Sequence, residues 1–256
     1  MSQPPLHITT FNIHKGFSQF NRRMMVHELR ERLRHLNPDI VFLQEVQGLH
    51  LGHAERHDNW PSAAQHEFLA EDVWPDAAYG HNMLYDHGHH GNAILSRFPI
   101  LHSHNQDVTH LRFERRGLLH CRIELPRGPA AHCVCAHLSL FGYSRRKQLA
   151  ALADYLNGMD EPDAPLIVAG DFNDWRNRAG KLLEQLLGVE EVFTQPNRLG
   201  RRTPVKSFPA ALPLFRLDRI YVRGFSVRRT AVHHGLPWSK ISDHAALSAY
   251  LDRHGD

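Results

Sequence analysis

Pro165-Leu166-Ile167-Val168-Ala169-Gly170-Asp171-Phe172-Asn173-Asp174-Trp175 runs from a purely apolar segment straight into three acid or amide side chains. Four consecutive apolar residues between a proline and a glycine suit a strand buried on both faces. Asp171 and Asn173 are two apart, so an extended chain points both to the same side of the sheet edge. The alternative is an Asx turn capping whatever follows the strand. These eleven residues leave both readings open, and the rest of the chain has to choose.

The same pattern recurs. His7 to Phe11 reads as an opening strand that delivers Asn12, and Asp39 to Leu43 as a second one closed by Gln44-Glu45. A glutamate at the end of a buried strand is costly unless it is paired or binds a cation. Tyr79 to Tyr85 and Gly91 to Leu95 read as strands. Gly91 would let the backbone come close to a ligand, with one of His89 or His90, and Asn92, lining a pocket. Gly117 to Leu125 and Ala131 to His137 follow, the second ending in His137. Leu217 to Val222 contains Asp218, Phe225 to Val232 is a further strand, and Ser242-Asp243-His244 leads into a last strand, His244 to Leu251.

Between the strands lie amphipathic segments. Met25, Leu29, Leu33 and Leu36 recur at helical spacing and stop at Asn37-Pro38. Pro61 to Trp74 reads as a surface helix with Phe68, Leu69 and Val73 inward. Ser144 is a candidate N-cap for a helix carrying Leu149, Leu152 and Leu156. Its first turn holds Arg145, Arg146 and Lys147, cations that oppose the helix dipole unless an anion sits beside them. Ala179 to Leu187 forms another helix closed by Gly188.

At 256 residues with 42% apolar content the chain can bury a large core, and without a linker it is read as one domain, 1–256. No apolar stretch is long enough to span a membrane and no leader pattern opens the chain, so the expected location is cytoplasmic. Cys121, Cys133 and Cys135 read as reduced core residues. The 22 histidines match no compact zinc-ligand spacing. From Pro196 to Lys240 ten Lys or Arg face Asp218 alone, which favours an anionic, phosphate-bearing partner. Phe208 and Phe215, among these cations, are read as core residues, although stacking on bases is the other possibility.

Seven chemistry-bearing positions therefore fall, in order, where apolar strands stop or start. With Thr10-Phe11-Asn12, Leu43-Gln44-Glu45, Gly91-Asn92-Ala93-Ile94-Leu95-Ser96-Arg97-Phe98-Pro99-Ile100, Ala136-His137-Leu138, Gly170-Asp171-Phe172-Asn173, Leu217-Asp218-Arg219-Ile220 and Ser242-Asp243-His244, the sequence resembles the endonuclease/exonuclease/phosphatase (DNase I-like) superfamily. The pattern of His90-Gly91-Asn92, Arg116 to His120 and Arg145-x-x-Gln148 is similar to a bacterial branch, some members of which are found beside cardiolipin-synthase-like proteins.

The resemblance implies an α/β (α+β) fold, a four-layer α/β/β/α sandwich of two packed mixed sheets with a cleft at one end. It implies that Asn12, Glu45 and Asp243 hold Mg²⁺ or Mn²⁺. Asp171 would deprotonate the attacking water, Asn173 would fix that water or a phosphate oxygen, His244 oriented by Asp218 would donate to the phosphate, and His137 would contact it. Asn92, Arg145 and His90 are the candidate substrate-binding residues. His14 stands where nucleases of the group often carry an acid. The implied activity is metal-dependent hydrolysis of a phosphodiester substrate, in nucleic acid or derived from phospholipid. The alternatives are a phosphomonoesterase on a soluble or lipid phosphate, or a binding protein that kept the fold. A monomer without a stable protein partner is expected.

Overall fold

The computed structural model describes residues 4–50, 52, 56–85, 88–159, 161, 163–176, 178–194 and 205–254. The basic segment from Pro196 therefore lies partly outside the described residues. The strands are β1 (Leu6–Asn12), β2 (Ile40–His50), β3 (Asp76–Tyr85), β4 (Gly88–Ser96), β5 (Ile100–Asp107), β6 (Gly117–Ile123), β7 (Ala131–His137), β8 (Leu166–Asp171), β9 (Glu190–Glu191), β10 (Asp218–Arg223), β11 (Phe225–His233) and β12 (Ala246–Arg253). The α-helices are α1 (Val26–Leu36), α2 (Gln65–Ala70), α3 (Gly142–Asn157) and α4 (Ala179–Leu187).

Two six-stranded mixed sheets result, ordered β11-β12-β1-β2-β4-β3 and β5-β6-β7-β8-β10-β9. Each is built around one parallel pair, β1 with β2 and β7 with β8. A parallel neighbour requires a crossover, and α1 and α3 supply it. The central strands are apolar on both faces because each face has something to cover it. In β2, Ile40 and Phe42 enter the core between the sheets, while Val41 and Leu43 meet α1 and α2. In β8, Ile167 and Ala169 face the opposite sheet, and Leu166 and Val168 lie under α3 and α4. The layers are therefore helix, sheet, sheet, helix, as expected.

Cys121, Cys133 and Cys135 are free and buried in the inter-sheet core, where burial raises the Cys121 and Cys135 thiols to about 12. Several expectations need correction. Pro61–Trp74 contains a helix only at α2, because Glu71 turns extended and Asp72 takes a positive φ of 66°. Trp74 is instead a core residue whose indole N–H donates to the Pro38 carbonyl at 2.9 Å. Helix α3 begins before Ser144, whose hydroxyl pairs with His110 rather than capping. Strand β5 was not anticipated; it is a polar edge strand carrying His102, Ser103 and His104 on the surface.

Candidate active site

The two parallel pairs carry their carboxyl ends to one place. Asn12 ends β1, Gln44-Glu45 lies where β2 leaves its register, and His137 and Asp171 are direct partners at the ends of β7 and β8. Antiparallel neighbours bring their beginnings to the same edge: Asp218 opens β10 opposite Asp171, and Asp243-His244 precedes β12 beside β1.

Local backbone devices aim these side chains. Between Leu43 and Val46 the pairing of β2 with β4 shifts, so Gln44 and Glu45 together oppose Asn92. This bulge puts Glu45 at φ 56° and re-aims its carboxylate. Gly170 has φ 148°, and a Cβ there would collide with the Ala136 carbonyl, so only glycine lets β8 lie this close to β7. Asn173 is at φ 48°, not extended, and its N–H donates to Asp171 Oδ1 at 2.9 Å. The Asx turn and the site are thus one structure, and the expectation of two parallel side chains is corrected.

Asp171 is the hub. Its Oδ2 accepts from Asn12 Nδ2 at 3.2 Å and lies 3.6 Å from His137 Nε2 and 3.8 Å from His244 Nε2. Asn12 Nδ2 also reaches Glu45 Oε1 at 3.4 Å, so one amide links both carboxylates. His244 Nδ1 donates to Asp218 Oδ2 at 2.8 Å, while Ser207 Oγ accepts the Asp218 N–H and Phe208 packs its ring on His244. Ser242 ties the last segment to β1 by donating to the Asn12 carbonyl at 2.7 Å.

Burial and charge set the proton inventory. Burial works against a charged His244, but Asp218, by charge and hydrogen bond, and then Asp171 and Asp243 outweigh it and raise its pKa to about 10. Burial raises Asp171 to about 6, with the His244 charge opposing. His137 is held far below its ordinary value by burial, then by Arg116, His244, His90 and Lys15, so it is neutral. His90, next to Tyr85, is lowered to about 4 by burial and Lys15, against the pull of Glu45.

Four carboxylates thus converge. Asp218 is balanced by His244, and Asp243 lies 3.4 Å from His14. No salt bridge among the described residues engages Glu45, which the Asn12 amide joins to Asp171. Glu45 and Asp171, joined through the Asn12 amide, offer only carboxylate oxygens, and such donors fit a hard divalent ion such as Mg²⁺ or Mn²⁺. Asp171, Asp218 and His244 also place ligand atoms within 4.8 Å of one another and could hold a metal by distance alone. That set is the poorer fit, because Asp218 already holds His244 as a cation.

The structure brings Asn12, Glu45, His137, Asp171, Asn173, Asp218 and His244 together, with Asp243 and His90 adjoining. The structure also shows partners that the sequence did not. Asn12 Oδ1 accepts the His14 N–H, and its NH₂ faces the carboxylates of Glu45 and Asp171. Asn173 Nδ2 donates to the Leu138 carbonyl at 2.9 Å while its N–H holds Asp171, so the residue ties the ends of β7 and β8 together. Asn92 is fully buried, donating to the Gly117 and Cys135 carbonyls. Arg145 is buried and donates to the Ser139 carbonyl at 2.7 Å beside Asp174, so it is not a free phosphate ligand. Phe215 is exposed rather than core, and Phe208 is half-buried.

Lys15 was overlooked. Its charge acts on His137 and His90, and the sequence signal was its place beside Gly16, shortly after Asn12. Glu114 was overlooked as well. It accepts from Ser139 Oγ and from the Leu140 N–H, and so fixes the loop leaving β7.

Comparison with known proteins agrees with this fold. A protein called YbhP from Escherichia coli is 47% identical over 245 residues, 95% of each chain. An endonuclease/exonuclease/phosphatase structure from Beutenbergia cavernae superposes with a TM-score of 0.75 at 19% identity, covering 99% of this chain and 72% of that one. D. rerio TDP2 in complex with a single-strand DNA product gives 0.68 at 21% identity, covering 96% and 98%. The model of the Endonuclease/Exonuclease/phosphatase family matches residues 9–244, nearly the whole described structure, and the chain belongs to that family of hydrolases.

Proposed function

We propose that the protein hydrolyses phosphodiester bonds by metal-assisted attack of water. The observation that carries this reading is the unbroken contact series Asp218, His244, Asp171, Asn12, Glu45. In this reading His244 is the proton donor and Asp171, 3.8 Å away, the base. His244, kept charged by Asp218, donates from Nε2 to a phosphate oxygen and counters the charge that builds in the transition state. Asp171, held by the Asn173 N–H and the Asn12 amide, takes the proton of the attacking water. Neutral His137 donates to the phosphate without adding charge. Glu45, with Asp171 and Asp243 nearby, would hold the Mg²⁺ or Mn²⁺ ion. When bound, that ion polarises the phosphoryl group and eases departure of the leaving oxygen.

The charge of the site suits a diester. Glu45 and Asp171 repel the second negative charge of a monoester more than the single charge of a diester. The protein is taken to act as one domain and as a monomer in the cytoplasm, and the shared core between the sheets supports the first of these. The experiment is hydrolysis of bis-p-nitrophenyl phosphate beside p-nitrophenyl phosphate. Turnover of the diester with Mg²⁺ or Mn²⁺, lost in EDTA, is expected. Release of phosphate from the monoester alone would assign a phosphomonoesterase instead.

A further inference from the structure

Beside the Asp171 cluster a cavity of about 450 Å³ opens between the beginnings of α3 and α4. Its walls carry five cations: Arg145, Arg146, Arg176, Arg178 and Lys181. The one carboxylate in the lining, Asp174, is buried and flanked by Arg145 and Arg219, each at 3.7 Å. Among the described residues no salt bridge engages Arg146, Arg176, Arg178 or Lys181. Cations on a convex surface are simply solvated, but here they share a concave wall with no acid left to offset them. Such a cavity focuses positive potential and selects an anion.

The cavity adjoins the site through two loops. Leu140 follows the end of β7, and Asp174 and Trp175 directly follow Asn173. Trp175 is 48% exposed and is held edge-on by Phe215, with ring centroids 5.9 Å apart. A braced, half-exposed indole beside a cation pocket is a surface on which a base can stack. A membrane surface would engage cations that project outward, whereas these line a recess suited to a discrete phosphate.

We infer that this cavity seats a second phosphate of the substrate, neighbouring the scissile diester, with Trp175 as the stacking surface for an adjacent base. Arg146, Arg178 and Lys181 are the groups that bind it. The inference rests on the phosphodiesterase reading and narrows its substrate to a nucleotide strand.

The test compares thymidylyl-thymidine with its 5′-phosphorylated and 3′-phosphorylated forms, cleaved in the presence of Mn²⁺. The expected result is a kcat/KM about ten-fold higher for one phosphorylated form, a typical gain from one charge-assisted contact set. Arg178→Gln combined with Lys181→Gln should bring that ratio close to one. A wild-type ratio near one, with the unphosphorylated dinucleotide still cleaved, overturns the second-phosphate site and leaves the phosphodiesterase reading standing. Absence of cleavage of any diester fails the reading itself. Binding to Asp171→Asn in EDTA then judges the cavity separately, and equal affinity for phosphorylated and unphosphorylated dinucleotides overturns it. Binding that appears only on anionic phospholipid vesicles also overturns it, in favour of a membrane surface.

Discussion

His244 keeps its proton because Asp218 lies 2.8 Å from Nδ1 and is itself held by the Ser207 hydroxyl. As the proposed proton donor, His244 would therefore serve well above neutrality. Asp218→Asn removes the largest favourable contribution to that charge while leaving the shape intact. The alkaline limb of the kcat/KM profile should then fall from near 10 toward the ordinary histidine range, since activity is lost as pH rises through the His244 pKa. A profile that does not move would remove His244 from the acid role. At this scale the sequence points to Asn12, Glu45, Asp171, Asp218 and His244 as strand-end neighbours but not to the partner of each atom. Nothing in the spacing of Asn12, Asn173 or Arg145 indicates that their polar groups are already used by His14, Leu138 and Ser139.

The strand ends that form the site were legible because buried strands in parallel pairs read as continuous apolar runs, and the residue after each run is exposed to chemistry rather than packing. The edge strand β5 was illegible for the converse reason, since polar residues on an exposed edge look like a loop. The bulge at Glu45 left no trace in composition, yet it decides where that carboxylate points. The close approach of β8 to β7 at Gly170 gives a sharp expectation. Gly170→Ala forces a Cβ into the Ala136 carbonyl at a φ that alanine avoids, and should cost upwards of about 2 kcal/mol. The melting temperature should drop by about 5 °C or more. An unchanged melting temperature would show that the two strands can separate locally. In β10, beside β8, Arg219 is 1% exposed and meets the Asp174 carbonyl at 2.7 Å and Glu191 at 3.4 Å. Arg219→Met leaves two buried carboxylates less compensated and should destabilise by about 3–5 kcal/mol, measured by urea unfolding.

Over the whole molecule the histidines divide into two opposed groups. Burial, first of all, lowers His7, His90 and His120 to about 4. Their folded pKa values lie below the unfolded value, so between pH 6.5 and 4 the unfolded chain binds more protons and stability falls as pH falls. His244 runs the other way. Its contribution is complete below pH 6.5 and is lost as pH rises toward 10. Burial also raises Asp39 and Asp171, which favours the folded state at lower pH, but these are two groups against the larger histidine set. Thermal melts should therefore peak near neutrality and decline on both sides. A melting temperature that is flat from pH 4.5 to 7 would contradict the buried-neutral assignment. At the far end of the sheets from the site lies a larger cavity of about 650 Å³, bounded by Leu6, Phe225 and Arg253. It contains none of the groups that the chemistry needs, so size alone does not locate function in this fold.

The convergence of Asp171 and His244 into one catalytic unit is best tested by a double-mutant cycle on bis-p-nitrophenyl phosphate with Mn²⁺. Asp171→Ala and His244→Ala should each lower kcat/KM by about 10²–10⁴, and the double variant should lose scarcely more than the worse single, because groups that act as a unit are not additive. Losses that multiply, or single variants that retain wild-type rates, would contradict it.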